Sequence, residues 1–305
     1  MDIKRLRIFL AVAQSGSFTR AAECIHLSQS AVSQQMALLE AEVREVLFER
    51  GARGIRLTRA GAELARQAQR VIDEMSRLEA MVGYLGGTRR ELRVGAFPSA
   101  GIELLPKALK AFRARQPDVR VALRTVNPEA AVRALAGGEV DALLLFDYSH
   151  LPRDLGSGID RLHLFDDPLL ALLPKTHPAA QRATIDLVDL AGDKWIFHRP
   201  FAPYQDVYPE ICRLGGFDPD VLFYAEDVQT IRGLVAEEMC VSIAPRLSAL
   251  PSSDGLMLRP ISTPAIVRRI SVLTLPQAGQ DATVAAFVKD LRASAALLAS
   301  PIAGD

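Results

Sequence analysis

The chain is 305 residues long, with 49% hydrophobic and 24% charged residues, enough for two domains with sizeable cores. It has no apolar run of the ~18 residues that span a membrane, and Met1-Asp2-Ile3-Lys4-Arg5 leads into an amphipathic pattern rather than a signal peptide, so a cytoplasmic protein without a membrane partner is expected. The net charge is zero, yet the first ninety residues carry 14 Lys and Arg against 10 Asp and Glu and the remainder 22 against 26, a distribution that suits a DNA-binding head on a separate acidic body.

Leu6, Phe9, Leu10 and Ala13 recur at helical spacing, and Gly16 ends that helix. Ser17 caps a short helix, Phe18 to Ile25. Ser28 caps a longer one whose inner face is Ala31, Val32, Met36, Leu39 and Val43. Three helices with a tight turn between the second and third make a helix-turn-helix. The Arg- and Gly-rich stretch Glu49 to Leu57 reads as a small β-ribbon, or wing. Thr58 then caps a long helix. Along it Leu57, Gly61, Leu64, Ala68, Val71, Met75, Leu78, Val82 and Leu85 step alternately by four and three, a heptad seam. A dimer seam is the preferred reading because no nearby element offers a partner; a long helix packed on its own domain is the alternative. Gly86-Gly87-Thr88 forms a hinge.

From Glu91 short β runs alternate with helices. Strands are expected at Leu92 to Phe97, Val119 to Val126, Val140 to Phe146, Leu169 to Leu173, Trp195 to Phe197, Val221 to Tyr224, Cys240 to Ala244 and Arg268 to Leu275. Helices are expected at Leu104 to Arg115, Glu129 to Ala136, Val207 to Leu214, Val228 to Glu237 and Ala282 to Leu298. The alternation predicts parallel sheets in two α/β lobes, with a ligand cleft at the carboxyl ends of the strands. The domains are therefore residues 1–58 (head), 59–88 (linker helix and hinge) and 89–305 (body), with lobe I about 91–164 and 267–300 and lobe II about 165–266.

Cys24, Cys212 and Cys240 are far apart in sequence and form no CxxC or Cys/His cluster, which argues against zinc and disulfides. They read as small buried hydrophobes, with a redox pair of Cys212 and Cys240 as the alternative. The chain has no GxSxG elbow, P-loop, GxGxxG or HExxH. The adjacent acids Asp166-Asp167 and Glu237-Glu238 read as solvated turns or helix ends. No enzymatic activity, metal or cofactor is expected.

Phe18-Thr19-Arg20-Ala21-Ala22, Leu27-Ser28-Gln29-Ser30-Ala31-Val32-Ser33, Leu39-Glu40, Leu47-Phe48-Glu49-Arg50 and Leu57-Thr58-Arg59-Ala60-Gly61 together resemble the LysR-type transcriptional regulators, with matching spacings. Phe97-Pro98-Ser99, Asp141 to Leu145 and Ile243-Ala244-Pro245 extend the resemblance more loosely along the body. It implies an α/β protein with an N-terminal all-α winged helix-turn-helix, a long coiled-coil linker helix and a two-lobed body similar to type 2 periplasmic binding proteins. The DNA-contacting candidates are Thr19, Ser28, Gln29, Ser30, Ser33 and Gln34, with Arg50 and Arg53 in the wing. Gln pairs bidentately with adenine, Ser serves bases or phosphates, and Arg reaches backbone or minor groove.

The cleft candidates are Pro98, Ser99 and Ala100, opening a helix whose N-terminus favours an anion, then Asn127, Phe146, His198, Arg199, Phe201 and Asp227. Arg199 offers a bidentate carboxylate clamp. The partners implied are double-stranded operator DNA, a second copy paired through 59–88, a tetramer, a small effector such as a carboxylate, and RNA polymerase. Four positions depart from the family pattern. Gln34 stands where many relatives have Arg. Arg44 replaces a frequent Gly and implies a different helix exit or an added phosphate contact. Glu238 and Cys240 replace two frequent glycines and imply an altered turn. An α/β enzyme bearing a DNA-binding head and a non-specific architectural protein are the rival readings.

Overall fold

A computed structural model describes residues 2–51, 54–85, 91–126, 128–155, 158–199, 204–249 and 255–299. They divide between Gly83 and Tyr84 into two compact units.

In the first unit, each helix begins where a short polar side chain answers an orphan amide. The Asp2 carboxylate accepts from Arg5 N–H at 2.8 Å and opens α1 (Ile3–Ser15), which Gly16 closes at φ 63°. Ser17 opens α2 (Phe18–Cys24), and Ser28 accepts from Ala31 N–H at 3.2 Å to open α3 (Gln29–Val43). Phe9, Val12, Ala21, Val32, Met36 and Leu39 close a dry core between the three helices. Antiparallel strands β1 (Phe48–Gly51) and β2 (Gly54–Leu57) form the wing, and α4 (Arg59–Leu85) follows.

The corner at Leu47-Phe48 explains three of the sequence motifs at once. The Glu40 carboxylate accepts from the amides of Leu47 (2.7 Å) and Phe48 (3.3 Å). Thr58 N–H donates to the Leu47 carbonyl at 3.0 Å, and the Thr58 hydroxyl bridges Val46 O and Gly61 N–H. At Gly61 a Cβ would overlap the Leu47 carbonyl oxygen, so α4 reaches this corner only through glycine. The Phe48 ring packs on Phe9 and Phe18, with centroids 5.3 and 5.8 Å away.

The expected heptad seam is divided. Gly61 is buried, and Leu64, Ala65, Ala68 and Ile72 pack on the core of α1 to α3, as a helix packed on its own domain does. By contrast, Val71 and Leu78 are each 48% exposed. The side chains of Val82 and Leu85 and the hinge Gly86-Gly87-Thr88 lie outside the described residues.

The second unit opens with β3 (Glu91–Ala96), α5 (Leu104–Arg115), β4 (Arg120–Thr125), α6 (Pro128–Ala136) and β5 (Ala142–Tyr148). Parallel pairing joins β3 to β4 and β5. Strand β6 (Asp160–Pro174) then passes between two lobes. Then come β7 (Ile185–Asp186), β8 (Lys194–His198), α7 (Val207–Leu214), β9 (Asp220–Ala225), α8 (Val228–Ala236), β10 (Ser242–Pro245), α9 (Arg246–Ala249) and β11 (Leu256–Thr263). The chain returns through β12 (Val267–Thr274) and ends with α10 (Pro276–Gly279) and α11 (Ala282–Leu298). As far as Pro168, β6 pairs with β12; from Leu169 it pairs with β10 and β11. In the first lobe α5 and α11 cover one sheet face, with Phe112 edge-on to Phe287, and α6 covers the other. In the second lobe Trp195 and Phe197 pack with α7, and Ile196 with α8.

The alternation of strands and helices predicts parallel sheets. Parallel pairing holds for β3–β4, β3–β5, β7–β11 and β8–β9, whereas β6 runs antiparallel to β10, β11 and β12, and β5 to β12. A chain that crosses between lobes and returns must present oppositely directed strands at the crossing. Strand β11 and the first half of β6 escaped the sequence reading because polar residues interrupt their apolar runs. Asp167, expected in a solvated turn, is 1% exposed. Cys24, expected to be buried, is exposed at the end of α2, whose inner face is taken by Ala21 and Ala22.

Candidate functional site

The first candidate surface is the outer face of α3. Thr19, Ser28, Gln29, Ser30 and Gln34 are exposed and Ser33 is half-buried, while Val32, Met36 and Leu39 occupy the opposite face. Gln29, Ser30, Ser33 and Gln34 share one stripe at helical spacing. Gln29 Nε2 donates to Ser33 Oγ at 3.2 Å, which orients the amide along the stripe. Ser28 caps α3 and lies 3.1 Å from Ser30 Oγ, so its hydroxyl is already engaged by the protein. Arg50 sits on β1 opposite Ile55; its side chain, and Arg53 entirely, lie outside the described residues. Arg5 anchors α3 from behind through Gln35 (3.2 Å) and Glu42 (2.7 Å).

Arg44 does not alter the helix exit. It takes the left-handed conformation (φ 57°) in which glycine is at ease, and its N–H donates to Glu40 O. Glu238 does the same at φ 61°, its carboxylate accepting from Thr176 at 2.8 Å. The backbone at that second departure is likewise the one a glycine would supply.

The second candidate site lies at the neighbouring strands β3, β5, β12 and β6. The helix expected to open at Pro98 is a single 3-10 turn, Pro98–Gly101, and α5 begins only at Leu104, so there is no helix N-terminus for an anion. Pro98 is exposed, Ser99 half-buried, and Ala100 is 0% exposed inside the first lobe's core. Phe146 packs against both lobe cores and meets Phe97 edge-on at 5.0 Å. It also stacks with Tyr204 at 5.7 Å. Asn127 and Phe201 lie outside the described residues.

His198 ends β8, and burial holds its imidazole below the usual histidine range, with Arg268 pushing the same way. Arg199 is exposed and lies over Tyr224 at 5.3 Å. Asp227 is the cap of α8, bonded to Thr230 N–H (2.8 Å) and its hydroxyl (2.7 Å). The structure therefore brings Ser99 and Phe146 together at Arg268, places His198 within its electrostatic reach, and gives Ala100, Arg199 and Asp227 other partners.

Sequence reasoning missed Arg268 and Asp167. They are direct neighbours across the β12–β6 ladder, 5% and 0% exposed at their side chains. Arg268 Nε donates to Asp167 at 3.0 Å, and Nη2 donates to Asp167 and to Ser99 Oγ (3.1 Å). The other Asp167 oxygen accepts from Leu247 N–H at 3.0 Å. The guanidinium lies 4.7 Å from the Phe146 ring and 5.3 Å from Phe97. A signal existed: Arg268 occupies an inward position of a strand whose next inward residues are Ile270 and Val272. Tyr204, also missed, reaches Asp147 at 3.4 Å, and Asp147 is paired with Arg161.

The three thiols differ. Cys212 and Cys240 lie in separate core clusters of the second lobe, and burial pushes them up to about 12 and about 11. Among the described residues no group of three or more His, Cys, Asp or Glu is placed to hold a metal, and no helix is long and apolar enough to cross a membrane.

Comparison with known proteins gives two family matches. Residues 3–62 match the bacterial regulatory helix-turn-helix protein, lysR family, and residues 85–296 the LysR substrate binding domain. The DNA-binding transcriptional dual regulator OxyR of Escherichia coli is 30% identical over 279 residues, 90% of each chain. The probable HTH-type transcriptional regulator LrrA of Synechococcus elongatus is 33% identical over 300 residues, 97% of this chain and 98% of its own. Among solved structures, full-length CbnR complexed with its target DNA matches with a TM-score of 0.60 and 25% identity, covering 96% of this chain and 100% of its own.

Proposed function

The chain belongs to the LysR family of bacterial transcriptional regulators, DNA-binding proteins with an effector-binding domain rather than enzymes, and on that premise we propose how its own residues divide the work. Gln29, Ser30, Ser33 and Gln34 enter the major groove on the face of α3 and read base edges. Thr19 and the wing residues Arg50 and Arg53 hold the phosphates. A second copy pairs along the exposed side of α4, where Val71 and Leu78 supply the apolar contact, and pairs of dimers make a tetramer. Ser99, Phe146 and His198 line the effector cleft. Occupation of that cleft favours one arrangement of the two lobes, and the bound DNA registers the change. RNA polymerase is the downstream partner.

The observation that supports this most is the exposed polar stripe on α3, seated by a capped turn and by the Glu40 corner. Some relatives are named hydrogen peroxide-inducible genes activators. Oxidant sensing in the body needs an accessible thiolate there; Cys212 and Cys240 are both buried with raised thiol pKa, and the exposed thiol, Cys24, belongs to the head. That supports a small molecule rather than an oxidant as the signal.

The test is a gel-shift titration of the full chain on DNA from upstream of its own coding region and on a shuffled fragment of equal composition, at several salt concentrations. The upstream fragment is expected to bind about a thousand-fold more tightly at physiological salt. Equal affinity for both overturns the sequence-specific reading. Sedimentation of a Val71→Asp, Leu78→Asp variant is expected to show a shift toward monomer; an unchanged assembly removes α4 as the pairing surface.

A further inference from the structure

The outer face of α3 changes character halfway along. Gln29, Ser30, Ser33 and Gln34 make the first half of its stripe polar, and the next residues at the same spacing are Ala37, Leu38 and Ala41. All three are exposed, and Leu38, at 46%, is a large apolar side chain facing water. The head's core takes the opposite side of the helix, Val32, Met36 and Leu39. Arg5 fixes the roll of α3 by bonding Gln35 at 3.2 Å and Glu42 at 2.7 Å, two turns apart, so the helix cannot turn Leu38 inward. The helix carries no Lys or Arg. Its two acids are engaged, Glu40 by the amides of Leu47 and Phe48 and Glu42 by Arg5. The side chains of α3 therefore bring no cation to a phosphate or a guanine edge, and no free carboxylate to a cytosine amino group.

What the second half of the stripe offers is apolar contact. Among the groups that base pairs present in the major groove, only the C5-methyl of thymine is apolar. From this we infer that Leu38 is a specificity-determining residue that packs on a thymine methyl of the bound DNA. The inference rests on α3 being the helix that reads DNA. Continuity of the stripe identifies the occupant. Leu38 stands one turn beyond Gln34, about 6 Å along the axis, the rise of roughly two base pairs at ~3.4 Å each. A helix that lays Gln34 on one base edge therefore carries Leu38 over a neighbouring pair. Ala37 and Ala41 flank Leu38 with short side chains, which lets the backbone lie close to the groove floor while leucine projects. Contact with the methyl removes both apolar surfaces from water. The polar half of the stripe then reads hydrogen-bonding edges, and the apolar half reads the presence of a methyl.

The experiment uses the full-length chain and the duplex that it enriches from a random pool. Each thymine, with its symmetry mate, is replaced in turn by deoxyuridine, which keeps the pairing and the groove hydrogen-bonding groups and lacks only the methyl. At one such position deoxyuridine is expected to weaken binding about three- to ten-fold. At that position 5-methylcytosine should bind more tightly than cytosine by a similar factor, because it restores the methyl. Leu38→Ser changes an exposed side chain, so fold and assembly should hold. That variant should bind the thymine and deoxyuridine duplexes alike at that position, and keep its discrimination against base changes elsewhere in the site. If no deoxyuridine weakens binding, or if Leu38→Ser keeps the full methyl penalty, the inference is overturned and the polar half of the stripe keeps its reading role. A chain that does not distinguish the enriched duplex from a scrambled one overturns α3 as the reader, and the inference with it.

Discussion

The head and the cleft are assembled by the same device, side chains that capture backbone or one another, but over very different stretches of chain. In the head, Glu40 reaches an amide 7 residues on, Thr58 one 3 residues on and a carbonyl 12 residues back. In the cleft, Arg268 binds Asp167 across 101 residues and Ser99 across 169. Local bonds stabilise a surface whatever the rest of the molecule does, so the stripe on α3 has one shape. Bonds that gather distant segments depend on how the lobes are arranged, which is what a regulatory site requires. Under the proposed function the head is the constant part and the cleft the adjustable one.

Substitutions can break that comparison. The largest effect is expected at Asp167→Ala, which strands a buried guanidinium and should cost about 3–5 kcal/mol in urea unfolding. Because the cleft and the head are separate units, the second unit should unfold first while the head keeps its helical signal; a single shared transition would show that the two are not independently stabilised. Gly61→Ala drives a methyl into the Leu47 carbonyl and should destabilise the head by about 3 kcal/mol, with loss of DNA binding. If this variant binds DNA normally, the Leu47 corner does not set the wing.

Smaller effects sharpen the contrast. Arg44→Gly relieves a left-handed arginine, and a gain of about 1 kcal/mol in the head's stability is expected, offset in part by chain entropy. A loss of stability would mean that the Arg44 side chain holds something. His198 responds to pH in the opposite region. Its folded-state pKa lies below the ordinary 6.5, so the unfolded chain binds the proton more readily and stability falls as pH drops below that value. His198→Gln should flatten this part of the pH–stability curve, measured as melting temperature from pH 7.5 to 5. An unchanged slope assigns the acid sensitivity to other groups.

The contrast in chain distance also explains what could be read from the residues alone. Ser17 and Ser28 were legible as caps because a cap and its amide lie within three residues. The helices of the head followed from their periodicity. Glu40 was visible as part of a motif but not as the ligand of the Leu47 and Phe48 amides, since that needs the turn after α3 to be known. Asp167 looked like a solvated acid because its partner stands a hundred residues away. The seam along α4 misled in part: a 4–3 step is shared by a helix facing a second copy and one facing its own domain, and the seam residues Leu64 and Ala68 serve the latter. Arg199 follows a strand and Asp227 starts a helix, positions that do not reveal that Tyr224 and Thr230 already engage them.

The central claim is that the polar stripe of α3 reads DNA sequence. The most direct measurement is fluorescence anisotropy of the full chain and its Gln29→Ala, Ser33→Ala variant, on the duplex that the full chain enriches from a random pool and on a scrambled duplex. The variant is expected to stay assembled, to keep its affinity for scrambled DNA and its salt dependence, and to lose about ten-fold or more of the preference for the enriched sequence. A variant that retains the full preference, or a full chain that enriches no sequence, contradicts it.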